Sequence, residues 1–447
     1  SPLPTNTSFT YTSTGPLGTI SPVSASGTVT SNVTLPATTQ SIGYQAFYNS
    51  KLTSASLNDG LRKISEIAFA NTPLVSISIP STVANVSPRL FQNCSSLSKV
   101  DLGNGVKEIS YYAFNNCTAL TEILIPASVT YISDGAFAGC INLVNVNVAE
   151  ENKIFASADG LLVDQSKQIL VQCTEGRSGD VVIPEGIKSI ETEAFRNHTG
   201  ITSISIPASM ESIGMWNFDG CTNLVNINVN ANNAYYSSKD GFLLNKSGTA
   251  IVTCPQGKYG QVSIPYGVEE MYDGAFYNCN KMTTITIPAT VNELWASTFA
   301  RCENLIAFYV DEGNAKYAAY DGLLYNRSQT ALIACPRVVE GDIVVPSTVV
   351  RVFDSTFYGC QNVTTITISE GVQTIGSLAF ANCTLNKFTL PLSLNNISRL
   401  SLELLLSSTP LIIENLLSNL INPLSVIDKK DLVTASTYID SSKLVLP

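Results

Sequence analysis

The fold is decided by LTEILIPASVTYISDGAFAGC, the stretch from Leu120 to Cys140, which returns as MTTITIPATVNELWASTFARC from Met282 to Cys302. The first copy fits the pattern L-x-x-I-x-I-P-x-x-V-x-x-I-x-x-x-A-F-x-x-C, and the second departs from it at Met282, Leu294 and Thr298. Alternation in I-x-I has the period of two that a strand with one buried face requires. The following proline has no N–H to offer a sheet ladder and therefore ends the strand. Each repeat thus predicts one coil that carries one short strand.

The cysteines display two nested periods of this repeat. Cys94, Cys117 and Cys140 follow one another at equal short intervals (117 − 94 = 140 − 117), and Cys140, Cys221 and Cys302 at equal longer ones (221 − 140 = 302 − 221). The single histidine, His198, follows Cys117 at that same longer interval (198 − 117), so it occupies a cysteine position of the repeat. Internal periods of roughly 20 to 50 residues indicate a solenoid, whose coils bury their apolar faces by stacking on one another.

Two further positions of the coil have a predictable structural role. The phenylalanine of A-F recurs in every coil, which predicts a stacked aromatic spine in the core. Residues that tolerate positive φ precede the cysteine position, which predicts a left-handed turn there. The spine phenylalanines are Phe47, Phe69, Phe91, Phe114, Phe137, Phe195, Phe218, Phe276, Phe299, Phe357 and Phe380, and the turn residues are Asn93, Asn116, Gly139, Asn197, Gly220, Asn278, Gly359 and Asn382.

Three insertions lengthen the coils and create the longer period. They begin at Asn152, Asn232 and Asn314, and each ends in a cysteine: Cys173, Cys254 and Cys335. Each contains an Asp-Gly turn, an apolar strand, a polar turn and a second apolar strand, which together predict a β-hairpin standing off the solenoid. Three equally spaced protrusions would form a periodic face and are the part most suited to contact a partner.

The coil with its inserted D-G-L-L hairpins resembles the BspA-like class of leucine-rich repeats of cell-surface proteins. The resemblance covers roughly Val33 to Leu394. It implies a leucine-rich-repeat solenoid that is right-handed, with a parallel β-sheet on the concave face and short helical turns and loops on the convex face, here with three β-hairpin insertions. We therefore expect a Ser/Thr/Pro-rich lead-in or cap at 1–31, the repeat array at 32–395 and a divergent C-terminal cap at 396–447. For Leu402–Leu420 an apolar end-cap is the default interpretation, with an amphipathic helix and a contact with another chain as alternatives.

Composition and charge exclude several partner classes. The net charge of −10 argues against nucleic acid and anionic membranes, which are held mainly through Lys and Arg. Only 13% of residues are charged, and Ser, Thr and Asn fill the deficit, which suits an extracellular surface. No apolar run is long enough for a membrane-spanning segment. The chain opens without a Met or an apolar leader, so we expect any signal peptide to have been removed or to lie outside it.

Sequons of the form N-x-S/T fit a secreted glycoprotein. The alternative is chance, since a chain rich in Asn, Ser and Thr generates many of them, and four coincide with the predicted left-handed turns. The candidate N-glycosylation sites are Asn6, Asn32, Asn85, Asn93, Asn116, Asn197, Asn245, Asn326, Asn362, Asn382 and Asn396.

Catalytic and cofactor chemistry finds little support in these residues. One histidine excludes a multi-His zinc site, and a Ser-His-Asp arrangement would have to use His198, which the repeat already explains. Calcium needs a dense acidic loop, which only the DEGN stretch at Asp311 approaches, and the Asp-Gly pairs are better explained as turns. No nucleotide-binding motif follows a strand. We expect no enzyme, no cofactor and no metal site.

Eleven cysteines in a chain with extracellular features invite disulfides. Each insertion cysteine follows a coil cysteine at the same interval (173 − 140 = 254 − 221 = 335 − 302), which suggests the pairs Cys140/Cys173, Cys221/Cys254 and Cys302/Cys335. Neighbouring coils would then pair Cys94/Cys117 and Cys360/Cys383 and leave Cys279 over. The alternative, left open at this point, is that all eleven are reduced thiols packed in the core.

Two functions remain from different classes. The first is a secreted or surface-displayed adhesin that holds a protein or glycan through the concave sheet or the hairpins. The second is a structural subunit that self-associates end to end into an extracellular filament or coat, since a solenoid exposes sheet edges unless its ends are capped.

Overall fold

The computed structural model of the protein describes residues 19–20, 32–35, 37–294, 298–299, 301–398, 401 and 412–414, with only the backbone of 19–20 and 412–414 considered. Contacts divide these residues into two units. Unit 1 contains the residues up to Asn223 together with Asn230–Tyr235, and unit 2 contains Leu224–Val229 and the residues from Tyr236 onwards.

The strands of unit 1 are short, and most contain two or four residues. They are β1 Thr19–Ile20, β2 Asn32–Thr34, β3 Ser41–Ile42, β4 Ser54–Ser56, β5 Lys63–Ile64, β6 Ser76–Ile79, β7 Asn85–Val86, β8 Lys99–Leu102, β9 Glu108–Ile109, β10 Glu122–Ile125, β11 Tyr131–Ile132, β12 Asn145–Val148, β13 Phe155–Ala158, β14 Leu161–Asp164, β15 Ile169–Gln172, β16 Gly179–Val182, β17 Ser189–Ile190, β18 Ile201–Ile206 and β19 Ser212–Ile213.

Unit 2 repeats the same kinds of strand. They are β20 Asn226–Val229, β21 Tyr236–Lys239, β22 Phe242–Asn245, β23 Ala250–Thr253, β24 Gly260–Ser263, β25 Glu270–Met271, β26 Met282–Ile287, β27 Ala307–Val310, β28 Tyr317–Tyr320, β29 Leu323–Asn326, β30 Ala331–Ala334, β31 Gly341–Val345, β32 Arg351–Val352, β33 Val363–Ile368, β34 Thr374–Ile375, β35 Lys387–Thr389, β36 Asn396–Ile397 and β37 Ile412–Glu414.

The I-x-I segments form a parallel ladder, which we call the first ladder. In unit 1, β2, β4, β6 and β8 pair in order, as do β10 with β12 and β16 with β18. In unit 2, β24, β26 and β27 pair in order, as do β31, β33, β35 and β37. Equivalent residues of successive coils lie side by side, as Ile123 does beside Val146 and Ile285 beside Phe308. The predicted solenoid with a parallel sheet is confirmed in each unit.

A second parallel ladder lies on the next side of the coil, and the sequence pattern did not predict it. It is built from two-residue strands at a regular distance after each strand of the first ladder, such as β7, β9 and β11. Glu108 lies beside Tyr131 and Ile109 beside Ile132. Each of these strands buries only one inward side chain. Two residues therefore contain no repeated alternation by which the sequence could identify a strand.

The return segment around each A-F pair consists of turns, and the helical turns expected there are absent from the described residues. Tyr112 and Asn116 have positive φ, of 55° and 59°, which interrupts any right-handed helix. The residues between them alternate in their bonding: the Phe114 N–H donates to Ala136 of the next coil, while the Asn115 N–H donates to Tyr112 of its own. All eight turn residues named above have positive φ, so that prediction is confirmed.

The spine phenylalanines lie in the core, as predicted, except that Phe299 is only partly buried. Phe47, Phe69, Phe91, Phe114 and Phe137 stack in sequence with ring centroids 5.2–5.7 Å apart and interplanar angles of 8–17°. This repeated contact buries a large apolar area in every coil, at roughly 25 cal/mol for each Å² removed from water.

Each insertion contains three antiparallel strands, one more than the sequence indicated. In the first, β13 pairs with β14 across the Asp159-Gly160 turn, and β14 pairs with β15. The last strand does not protrude, because β15 pairs in parallel with β17 and continues the second ladder. The other insertions repeat this arrangement, with β23 joining β25 and β30 joining β32.

Parallel pairing also extends beyond the predicted array boundaries at 32 and 395. At the start, β1 pairs with β3, and at the end β36 pairs with β34 and β37 with β35. Within the helix predicted for Leu402–Leu420, the described residues Ile412–Glu414 form a strand, and the remainder of that prediction lies outside the described residues.

Candidate functional site

The outward face of the first ladder is the most regular exposed surface of each unit. Alternation places Ile123 and Ile125 in the core and leaves Glu122 and Leu124 exposed, with Leu124 56% accessible. The inward neighbours fix the backbone, so the outward side chains are held in register on a rigid support.

In unit 1 this face is mostly small and polar. The register aligns Asn32, Ser54, Ser76 and Lys99 in one row and Ser78 with Asp101 in another. Ser54 donates its hydroxyl to Asn32 Oδ1 at 2.7 Å, and Ser203 donates to Asp180 Oδ1 at 2.6 Å. Such a surface can exchange hydrogen bonds with a polar ligand.

A shallow groove of about 480 Å³ lies in unit 2 beside the first ladder. Tyr259 and Val338 come from the loops after the second and third insertions, and Lys281, Thr283 and Ile306 come from the two coils between them. Tyr259 is 75% accessible and Ile306 51%. An exposed aromatic ring, an exposed aliphatic side chain and a cation within one concave surface are typical of a binding site.

The insertions are anchored by buried asparagines whose role was not predicted from the sequence. Asn152 donates its amide to the carbonyls of Pro126 and Val129, each at 2.9 Å, while its Oδ1 accepts the N–H groups of Ile154 and Phe155. Asn233 and Asn314 make equivalent bonds. These asparagines recur at the longer period of the cysteines (233 − 152 = 314 − 233), and this spacing could have identified them as structural positions.

The polar turn of each insertion is closed by one carboxylate or amide. Asp164 accepts the N–H groups of Gln168 and Ile169, and Asn245 and Asn326 take the same position in the later insertions. Burial acts to raise the pKa of Asp164, but hydrogen bonds led by that of Ser166 outweigh it and lower the pKa. The sequons at Asn245 and Asn326 therefore coincide with side chains already engaged in turns.

Other sequons show a second structural use of asparagine. Asn116 donates to Asn93, Asn93 to Asn71, and Asn71 to Asn49, each at 2.8 Å, in an exposed ladder. Asn32, Asn85, Asn197, Asn362, Asn382 and Asn396 are exposed, and Asn6 lies outside the described residues.

The cysteines form four three-member stacks, with His198 in the middle of the second. The stacks are Cys94/Cys117/Cys140, Cys173/His198/Cys221, Cys254/Cys279/Cys302 and Cys335/Cys360/Cys383. All eleven are free thiols, and in most coils the Sγ donates to a phenylalanine carbonyl of the preceding coil, as Cys140 does to Phe114 at 3.0 Å. Burial raises the pKa of Cys173, Cys221 and Cys383 to about 12.

These stacks differ from the suggested disulfide scheme. Cys140/Cys173, Cys221/Cys254 and Cys302/Cys335 each belong to two different stacks, because the insertion cysteine starts a new stack instead of returning to its own coil. Cys94/Cys117 and Cys360/Cys383 share a stack but are not bonded. The cysteines are unbonded in this structure, and the pairing scheme and the free-thiol alternative both stay predictions.

His198 occupies the cysteine position that the period assigned to it. Its Nε2 lies 2.8 Å from the carbonyl of Cys173, and in unit 2 the thiol of Cys279 donates to the corresponding carbonyl of Cys254. Burial lowers the pKa of His198, while hydrogen bonds to the carbonyls of Arg196 and Cys173 act in the opposite direction. A second, catalytic partner such as a Ser-Asp pair is not among its contacts in the described residues.

The described ranges offer neither a metal site nor a membrane-spanning helix. Within them, no three His, Cys, Asp or Glu side chains lie together as metal ligands. Asp311 instead accepts the N–H of Gly313 at 2.8 Å within its turn. Nor does the described part of the chain contain a helix with the length and apolar character needed to cross a bilayer.

Comparison with known proteins identifies one family. The family described as "BspA type Leucine rich repeat region (6 copies)" matches residues 19–155, 174–305, 253–321 and 333–420. No curated protein matches the chain significantly.

Several solved structures are similar to this chain. A leucine rich cell surface protein of Faecalibacterium prausnitzii A2-165 is 27% identical over 63% of this chain and 79% of its own, with a TM-score of 0.44. The pneumococcal vaccine antigen PcpA is 18% identical over 77% of both chains, with a TM-score of 0.47. A leucine-rich repeat protein of Bacteroides ovatus ATCC 8483 is 18% identical over 84% of this chain and 83% of its own, with a TM-score of 0.39.

Proposed function

Because the chain belongs to the BspA-type leucine-rich repeat family, we propose that it is a non-catalytic binding protein that acts outside the cell or on its surface. Its role would be that of an adhesin, which holds a protein or glycan through the outward face of the first ladder and the grooves beside it.

The groove in unit 2 is the observation that carries this proposal. Tyr259 and Ile306 expose large apolar side chains at this groove, and Lys281 and Thr283 supply polar contacts beside them. The loop bearing Val338 is fixed by the hydrogen bond from its N–H to the Leu305 carbonyl at 3.2 Å. A preformed surface binds with a smaller entropic cost than a mobile one.

The test is capture of ligands on an array of immobilised glycans and secreted proteins. The double variant Tyr259→Ser/Ile306→Ser should lose the signal of any ligand that uses the groove. Tyr266→Ser is the matched control, since Tyr266 is an equally exposed tyrosine of the same unit, at 71%, and does not line the groove. Equal loss in both variants, or capture unchanged by the double variant, would contradict use of this surface.

End-to-end assembly is the competing function and is decided by a separate measurement. Light scattering and negative-stain images should show discrete particles for an adhesin and fibres for a filament subunit. Fibres formed by the purified chain would favour the structural role over the proposed one.

A further inference from the structure

A cavity of about 310 Å³ in unit 2 has no counterpart in the proposed binding surface. It lies where the third insertion joins the preceding coil, and it separates Cys302 from Cys335, the facing ends of two cysteine stacks. Its apolar wall includes Leu305, Phe308 and Leu324. A volume of this size accommodates a small organic molecule.

Two arginines line this otherwise largely apolar space. Arg301 lies over the ring of Tyr277 with its guanidinium carbon 5.7 Å from the centroid, and Arg337 lies over Tyr358 at 5.0 Å. Among the described residues, neither guanidinium has an Asp or Glu within ion-pair distance, since the four ion pairs found there involve other side chains. Two cations at one cavity without a carboxylate favour an anionic occupant.

The first insertion shows how the same junction looks when the chain supplies that carboxylate itself. Gly139 and Glu175 occupy the positions two long periods before Arg301 and Arg337 (301 − 139 = 337 − 175). There the Glu175 carboxylate accepts the Gly139 N–H at 2.9 Å, and burial raises the pKa of Glu175. This bond replaces the one that a turn residue elsewhere makes to the next coil, as Asn116 does to Ala138.

At the third insertion, a positively charged side chain replaces the negatively charged Glu175 of the first. Arginine stands where the carboxylate was, and the N–H of Arg301 has no acceptor among the described residues. Arg301 also has a positive φ, of 57°, as Gly139 does at 76°. The junction therefore has the donors of the first site and space in place of its acceptor.

We propose that this cavity binds a small organic carboxylate with an apolar body, its carboxylate between Arg301 and Arg337 and its apolar part against Leu305, Phe308 and Leu324. The bound carboxylate takes the place that Glu175 fills in the first insertion. The site is independent of the groove beside the first ladder, which these residues do not line.

The experiment uses benzoate as the probe and isothermal titration calorimetry on the full chain. Benzamide has the same shape without the charge, and sulfate has the charge without the apolar body. Benzoate should bind at least about tenfold more tightly than benzamide, which lacks the charge-assisted hydrogen bonds. It should also bind at least about tenfold more tightly than sulfate, which buries no apolar area against Leu305, Phe308 and Leu324.

Arg301→Gln/Arg337→Gln should weaken benzoate binding by about tenfold or more on the same grounds. Arg351→Gln is the matched control, because Arg351 stacks on Phe353 at 4.5 Å in the same unit and does not line the cavity. Circular dichroism and the thermal midpoint establish whether each variant is folded. If the double variant unfolds, Arg337→Lys replaces it in the test: this variant keeps the positive charge and should retain benzoate binding.

Three outcomes would overturn the proposal: no saturable benzoate binding to the wild-type chain, benzamide binding as well as benzoate, or sulfate competing equally with it. Undiminished benzoate binding by the folded double variant would do the same.

Discussion

The uniform coils around Phe47–Phe137 and the coils next to the insertions differ in how their aromatic rings meet. In the uniform coils the rings are nearly parallel, at 17° for Phe91 and Phe114, whereas Phe242 of the second insertion meets Phe276 of the following coil at 57°. Each uniform coil is followed by another of almost the same length, so equivalent side chains meet directly. An insertion breaks that correspondence, and new contacts replace the regular ones.

The replacement contacts are polar and specific. Regular coils are joined by ring stacking, backbone bonds, cysteine Sγ donors and exposed asparagines, whereas the insertions add buried asparagines, an internal carboxylate at Glu175 and an open cavity at Arg301 and Arg337. The comparison indicates that the insertions bring polar and charged contacts that the regular coils do not contain.

The largest expected effect tests the aromatic spine on the two sides of this comparison. Phe114→Ala removes a buried ring stacked on two neighbours and should lower the free energy of unfolding by about 3–5 kcal/mol. Phe299 is only partly buried and borders the existing cavity, so Phe299→Ala should cost about half as much. Urea unfolding followed by circular dichroism measures both, and equal losses would show that the two kinds of coil pack alike.

The next effect concerns the buried asparagines of the insertions. Asn152→Ala leaves two carbonyls and two N–H groups without their partner and should destabilise unit 1 by about 2–4 kcal/mol. Asn116→Gly is the control in a uniform coil, because glycine keeps the positive φ of 59° while the exposed side chain loses one donor bond that water replaces, at a cost of about 0.5 kcal/mol. A cost for Asn152→Ala no larger than that of the control would remove the anchoring role.

A smaller effect is expected on the pH dependence of the free energy of unfolding, which should differ between His198 and a cysteine at the same position. Burial lowers the pKa of His198, so the unfolded chain binds a proton more readily than the folded chain. The contribution of the neutral ring is therefore complete above the unfolded value, near 6.5, and is lost as pH falls through the folded value. Between pH 7.5 and pH 5 the wild type should lose more stability than His198→Cys.

The reciprocal variant sharpens that test. Cys279→His places an imidazole at the equivalent buried position of unit 2 and should introduce the same acid sensitivity there. Thermal midpoints measured across the same pH range compare the variants. Identical pH profiles for the wild type and His198→Cys would mean that the carbonyls of Arg196 and Cys173 compensate for burial.

The smallest expected effect is on thiol reactivity in the native protein. Raised pKa values and burial leave little accessible thiolate, so Ellman's reagent at pH 8 should modify native thiols slowly, with the half-buried Cys383 reacting first. In denaturant all eleven should react. The disulfide scheme predicted from the sequence would leave only Cys279 reactive. A titre of one thiol in denaturant would therefore support that scheme.

Much of the regular coil was predictable because the spacing of apolar residues along the repeat indicates which side chains are buried. The alternation at Ile123/Ile125, the inward Phe114 and the left-handed Asn116 follow from properties of single positions. The second ladder was missed because a two-residue strand such as β11 has almost no periodicity of its own. The third strand of each insertion was missed for a similar reason, since short apolar segments do not identify their partners.

By itself, the sequence determined the repeat, the core residues of each coil and the equivalence of His198 with Cys279, because these depend on spacing along the chain. Only the tertiary structure decided which groups meet across an insertion: Leu170 beside Ile190, Asn152 against the carbonyls of the preceding coil, and Cys173 in a new stack. The same applies to the cavity that brings Arg301 and Arg337 together from opposite ends of the third insertion. Contacts of this kind depend on the path of the inserted strands, and that path is set by packing and hydrogen bonding in three dimensions rather than by local pattern.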